Sequence, residues 1–157
     1  MDSNNTDLWG QDIALDGSGQ AKVAANGELL LTDGVLTGVQ DIRLRIFTRM
    51  GALFYDHEFG SLIHDWILEE STQANRSALE SEVILRVEED ARTVVGSVRC
   101  SVTTWDDKSI EAVASWQFID EDSPLNLVLQ INKETLEMVI QDASPRANSF
   151  TAPFPND

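Results

Sequence analysis

The stretch TRMGALFYDHEFGSLIHDWI, Thr48 to Ile67, gathers residue types that do chemistry: His57 and His64, the acids Asp56, Glu58 and Asp65, and the aromatics Tyr55 and Trp66. A glycosidase needs two carboxyls about 5 to 10 Å apart across a sugar cleft, one with a raised pKa. Asp56, Glu58 and Asp65 supply the acids for such a site, with Tyr55 and Trp66 as sugar platforms. The warrant is weak, because 27 acids in 157 residues bring some carboxyl pair together almost anywhere. His57 and His64 would need a third and a fourth ligand to hold zinc, and no cysteine or further histidine lies near them. Cys100 is the single cysteine, so no internal disulfide forms, and its alternating apolar neighbours predict a buried strand thiol and not an exposed nucleophile. Neither a Walker-type nor a GxGxxG phosphate cradle is present. These residues predict no catalytic centre, no metal and no cofactor.

Charge narrows the partners. Eleven Lys and Arg stand against 27 Asp and Glu, a net charge of −16 spread over the chain. That field repels phosphate backbones and anionic lipid, which argues against direct nucleic-acid or membrane-surface binding and favours solubility or a basic protein partner. The opening MDSNNTDLWGQDIALDG has neither a basic start nor a signal-length apolar run, and no stretch approaches the roughly 18 apolar residues of a membrane span. Synthesis and use in the cytoplasm are expected, unless a larger assembly carries the protein out.

The elements that must position these residues follow from periodicity. Residues 1–34 are polar and glycine-rich with short apolar pieces, and read as an extended arm with short strands. Val35, Val39, Ile42 and Ile46 then recur at helical spacing, with Gln40, Arg43 and Arg45 pointing elsewhere. Asp33 is the expected N-cap and Gly51 the expected stop, giving a helix over Gly34 to Met50. After a turn through Gly60, a short helix over Ser61 to Glu69 is predicted to bury Leu62, Ile63, Trp66 and Ile67. A third runs from Ser71 or Thr72 to about Ala91 on a Leu79, Val83, Val87 stripe.

From Val94 the period drops to two. Val94, Gly96, Val98, Cys100 and Val102 alternate with polar neighbours, and WDDKS turns the strand into IEAVASWQFI. LNLVLQIN and TLEMVIQDA supply two further strands, the last with Leu136, Met138 and Ile140 on one face. The predicted fold is α+β: about three helices packed on an antiparallel sheet of about four strands, spanning 35–142. Residues 143–157 hold three of the four prolines and read as an extended tail, either idle or anchored to a partner through Phe150 and Phe154.

Six of the eleven basic residues fall in two places, Arg43, Arg45 and Arg49 on the first helix and Arg86, Arg92 and Arg99 near the helix-to-sheet junction. They serve either internal ion pairs or salt-bridge docking to another subunit. The last strands, beside the tail, leave an edge that another chain can extend.

With these elements in place, the chain resembles the baseplate wedge family of contractile phage tails. That group includes gene product 25 of T-even phages, protein W of other phages and the type VI secretion counterpart. The resemblance rests on GQDIAL (Gly10 to Leu15), on VQDIRLRIFTRMGALFYDHEFGS (Val39 to Ser61), and on a long helix ending in an acid and an arginine before alternating strands. It covers about Gly10 to Ile140. The family carries Glu-Pro-Arg at the end of the long helix, where this chain reads Asp90-Ala91-Arg92: acid and arginine remain, and the rigid proline exit does not.

The resemblance implies a non-enzymatic virion subunit, six copies per hexameric baseplate, that binds the wedge core bundle and initiates the tail sheath by strand addition. Glu58 then becomes a turn or capping residue. Gly51 and Gly60 fit conformations that side chains oppose, and Phe54, Tyr55 and Phe59 wedge the turn against the helices. Asp90, Arg92, Arg43, Arg45 and Arg49 are the expected wedge contacts. Leu125, Leu127, Leu129, Ile131, Leu136, Met138 and Ile140 mark the expected sheath-facing strands. A lysozyme-like glycan hydrolase acting through Glu58 and a free adaptor or chaperone-like module are the competing readings.

Overall fold

The computed structural model describes residues 10–16, 19–32 and 34–142. The expected N-cap Asp33 and the tail with Phe150 and Phe154 lie outside them. Within the described residues the fold is α+β, with two α-helices and a four-stranded antiparallel sheet in the order β1-β2-β3-β4.

Helix α1, Val35–Phe47, forms on the expected stripe: Val35, Val39, Ile42 and Ile46 are all buried. It ends three residues before the predicted Met50, for a tertiary reason. Thr48 turns extended, and the chain pairs in parallel with the segment returning at Ser61, through Met50 N–H to Ser61 O (3.0 Å) and Ser61 N–H to Thr48 O (2.9 Å). The Ser61 hydroxyl donates to Ile46 O at 2.7 Å, satisfying a helix-end carbonyl. Gly51 therefore sits in the following turn and does not stop the helix.

The predicted second helix is only a 3-10 turn, Ile63–Trp66. The Leu62 N–H at its entrance is taken by the Glu82 carboxylate at 2.7 Å, so tertiary contact and not helix propagation satisfies this segment. Ile63 and Ile67 are buried as expected, Trp66 is half-buried, and Leu62 is exposed. Helix α2, Gln73–Glu88, starts at Thr72, whose hydroxyl accepts the Asn75 N–H at 3.1 Å. Leu79, Val83 and Val87 form its inner stripe. It stops short of the exposed Ala91 because the Asp90 carboxylate captures the Arg92 backbone N–H and bends the chain.

The strands are β1 Arg99–Trp105, β2 Ser109–Trp116, β3 Leu125–Asn132 and β4 Glu137–Asp142. The alternation from Val94 to Val98 is not strand. Val95 is exposed, Gly96 has φ +84°, and the segment is tied to the chain after β2 by Val94 N–H to Gln117 O at 2.8 Å. In the β1–β2 turn Asp106 Oδ1 accepts the N–H groups of Lys108 and Ser109 at 2.8 and 2.9 Å, giving WDDKS its side-chain staple. Leu136, predicted as a strand residue, occupies the β3–β4 turn instead, exposed and with φ +62°. One face of the sheet, with Ile110, Ala112, Ala114, Trp116, Leu125, Leu127, Leu129, Ile131, Met138 and Ile140, is buried. Helix α2 packs over β1 and β2, and α1 packs on α2 and β4.

Residues 10–16 and 19–32 form short antiparallel bridges (Ile13 with Leu31, Leu15 with Ala21, Val23 with Leu29) and leave Val23, Leu29 and Leu31 exposed. Polar contacts attach them to α1. Gln40, which its helical phase placed away from the core, is buried here: its Nε2 donates to Ile13 O at 2.6 Å and its Oε1 accepts the Leu15 N–H at 2.7 Å. Thr37 donates to Gly10 O at 3.0 Å and Arg43 to Asp16 O at 3.0 Å. Each such bond contributes about 1 kcal/mol. Gln40→Ala is expected to lower stability by roughly 2 kcal/mol and to expose residues 19–32 to limited proteolysis before the rest unfolds.

Candidate functional site

The six arginines belong largely to two connected networks. In the first, the Arg92 guanidinium forks onto Asp90 (Nε to Oδ1 2.9 Å, Nη2 to Oδ2 2.7 Å) and reaches Asp41 of α1 at 2.8 Å. Side-chain exposure is only 16% for Arg92 and 5% for Asp90. Burial works to raise the Asp90 carboxyl, but the Arg92 side-chain and backbone hydrogen bonds outweigh it and hold the carboxyl below the ordinary aspartate value. The bonds from Asp90 and Asp41 likewise raise Arg92 against the opposing effect of burial. This pair fastens the exit of α2 to α1 without a proline.

In the second network Glu82 accepts Arg86 at 2.6 and 3.3 Å while also holding the Leu62 N–H. Arg86 continues to Glu89 at 3.0 Å, and Glu89 faces Arg45 at 3.5 Å. The Arg45 guanidinium lies 4.8 Å from the centre of the Phe59 ring, a cation–π contact. Arg49 stands apart. Its bridge to Asp65, at 2.9 Å, joins side chains 64% and 51% exposed, so it contributes little to folding and is easily exchanged for another carboxylate. Arg99 donates to the carbonyls of Gly96 and Val98. Each of the arginines predicted to meet a partner thus has an internal contact: Arg43, Arg45 and Arg92 are engaged in the fold, and Arg49 is the most exposed.

The turn from Gly51 to Gly60 departs from expectation in two places. Phe54 and Tyr55 do not wedge it against the helices; they are 86% and 72% exposed and meet each other edge to face at 5.2 Å. The side chain that organises the turn is Asp56, whose Oδ1 accepts the Glu58 N–H at 3.2 Å, and the Glu58 residue is exposed. Only Phe59 touches the helix, through Arg45. Gly60 is sterically required, with φ +123° and an added Cβ falling 2.6 Å from Thr48 O.

Asp56 and Glu58 lie on this exposed turn while Asp65 pairs with Arg49. Burial first, and Arg49 second, push half-buried His64 below the ordinary histidine value. Among the described residues no cluster of three or more His, Cys, Asp or Glu could hold a metal ion. Cys100 on β1 is largely covered, and burial followed by Glu80 pushes its thiol up to about 12. The native protein should therefore react with iodoacetamide at pH 8 at least about 100-fold more slowly than the urea-unfolded chain, as read by mass spectrometry.

The sheet edges differ from each other. At β1 the Val102 N–H is taken by the Glu80 carboxylate of α2 at 2.9 Å, and a register shift between Val102 and Thr104 breaks the ladder. Both features blunt an edge. β3 is paired on both sides and is not an edge, and Leu125, Leu127, Leu129 and Ile131 are buried beneath the helices, so their side chains cannot face a partner. Met138 and Ile140 are buried too. What β4 offers is backbone: among the described residues it pairs only with β3. Residue patterning located this edge, but alternation alone could not distinguish a lateral strand from an interior one.

The class that the described residues define is an α+β domain with two helices on one sheet face, one blunted edge at β1 and, at β4, an edge that no other described strand covers. No protein-family model matches the chain, and no curated protein matches it.

Proposed function

We propose that the protein is a structural wedge subunit of a contractile-tail baseplate, present in six copies in a hexameric assembly within the virion. It binds other wedge proteins and starts the tail sheath by strand addition. The backbone edge of β4, unpaired among the described residues and at the opposite side of the sheet from the blunted β1, is the observation that carries this reading. An extended segment laid along β4 gains main-chain hydrogen bonds that fix its register. The motif resemblance from Gly10 to Ile140 supplies the assembly. The work is scaffolding and not catalysis, and no cofactor enters it.

The wedge contact falls on the α1 end of the molecule. Arg49 is the residue best suited to pair with a partner carboxylate, because its exposed bridge to Asp65 is cheaply exchanged. Arg92, Asp90, Arg45 and Arg43 hold the helices and the N-terminal segment in place behind it. Two observations test the reading together. The protein should co-purify with intact contractile particles, and the tagged full chain should capture the sheath and wedge proteins from a lysate expressing the neighbouring tail genes. Absence from purified particles combined with no capture overturns it. Capture without incorporation supports an adaptor instead.

A further inference from the structure

A small apolar cleft lies where the N-terminal segment, α1 and β4 meet, lined mainly by Leu15, Leu44, Phe47 and Ile140. Among the described residues Ile140 is the only sheet residue in its wall, so the cleft opens beside β4 and on the helix side of the sheet. A strand added to β4 would run one strand spacing away, about 4.8 Å, and its residue opposite Ile140 would point to the same face, toward α1. We propose that this cleft takes one apolar side chain of the strand added along β4, and that this strand carries basic residues at both ends. The inference rests on the strand-addition reading above and specifies the chemistry of its partner.

The charge requirement comes from β4, which reads EMVIQD: acidic residue types stand at both ends of an apolar centre. Basic residues opposite Glu137 and Asp142 make cross-strand pairs of opposite charge. A second copy of this chain is a poor occupant for the same reason. Antiparallel β4–β4 pairing would set acid against acid at each end and bring together two chains of net charge −16. Strand addition in general draws affinity from the main chain and specificity from pockets for alternate side chains, and this cleft is placed to be one of those pockets.

The test uses cyclised β-hairpin peptides whose outer strand reads Lys-Thr-Leu-Thr-Thr-Lys, which laid antiparallel along β4 sets the leucine opposite Ile140 and the lysines opposite positions 142 and 137, titrated against the full chain by fluorescence anisotropy at low salt. The leucine peptide should bind at least about 10-fold more tightly than its serine counterpart. Replacing the terminal lysines by glutamates should weaken it by a similar factor or more, and Phe47→Ala should bring the leucine peptide toward the serine value while the circular dichroism spectrum stays unchanged. Equal binding of leucine and serine peptides overturns the cleft and leaves strand addition standing. No binding of any peptide up to about 1 mM overturns both. Elution as a dimer together with no peptide binding assigns the edge to a second copy and likewise overturns the proposal.

Discussion

Arg92→Ala is expected to lower folding stability by roughly 3–5 kcal/mol, because it strands the carboxylate of Asp90 in a site where that side chain is 5% exposed. The loss comes less from the attraction removed than from the unpaired charge left behind, and it also releases Asp41 of α1. For a chain of this size it corresponds to a fall in Tm of about 2–4 °C per kcal/mol. The pH dependence identifies the mechanism. In the wild type, Asp90 is held below its ordinary value, so its contribution is present above about pH 4 and fades as pH falls through the folded value. Without Arg92, burial, which works to raise Asp90, is opposed only by the more remote charge of Arg45. The difference between variant and wild type should therefore be largest near neutral pH and should narrow as pH falls toward about 4 and below it. Urea titrations at a series of pH values measure this, and a pH-independent gap would show that Asp90 is not the group left unpaired. Asp41→Asn, at a half-buried partner, is expected to lose much less.

Gly60→Ala is the second large effect. The residue has φ +123°, and its new methyl would fall 2.6 Å from Thr48 O and 2.9 Å from Met50 N, both backbone atoms that cannot rotate away. The parallel bridge between Thr48–Met50 and Ser61 must open or shift, taking with it the Ser61 hydroxyl bond to Ile46 O. A loss of about 3 kcal/mol or more is expected, from backbone strain and the disrupted pairing together. Gly51→Ala is the control. Its φ is +90°, but nothing lies within 4 Å of an added Cβ, so only the strain of about 1–2 kcal/mol remains. Chemical denaturation of the two variants separates conformation from collision, and equal losses would refute the steric account of Gly60.

The positions that could be read in the sequence share a physical basis: their signals are periodic and local. Val35, Val39, Ile42 and Ile46 specify α1 because each needs burial on one face. Thr72 starts α2 by bonding a neighbour three residues away, and the alternation in LNLVLQIN and EMVIQD specifies β3 and β4. The misreadings share a different cause. Met50 left the helix because Ser61 offered it a backbone partner, and the Ser61–Glu69 helix reduced to a 3-10 turn where Glu82 captured the Leu62 N–H. Gln40 was buried by the segment lying over it. Val94 to Val98 kept the strand pattern without a neighbouring strand to continue the ladder.

The candidate site divides in the same way. Composition and spacing identified the arginine clusters and the glycines at 51 and 60, the family resemblance pointed to the acid–arginine step at Asp90 and Arg92, and patterning read the last two strands together as an edge, of which only β4 is lateral. Whether an arginine turns inward to Asp41, as Arg92 does, or outward beside Asp65, as Arg49 does, depends on residues distant in the chain and meeting only in the fold. The sequence by itself determined an acidic α+β chain with its helices before its sheet, since hydrophobic period and charge are properties of neighbouring residues. Tertiary structure alone decided which arginines are engaged, that Phe54 and Tyr55 stand in solvent, that β1 is blunted by Glu80, and that β4, beside an apolar cleft, pairs only with β3 among the described residues, because each depends on which distant backbone and side-chain groups pack together.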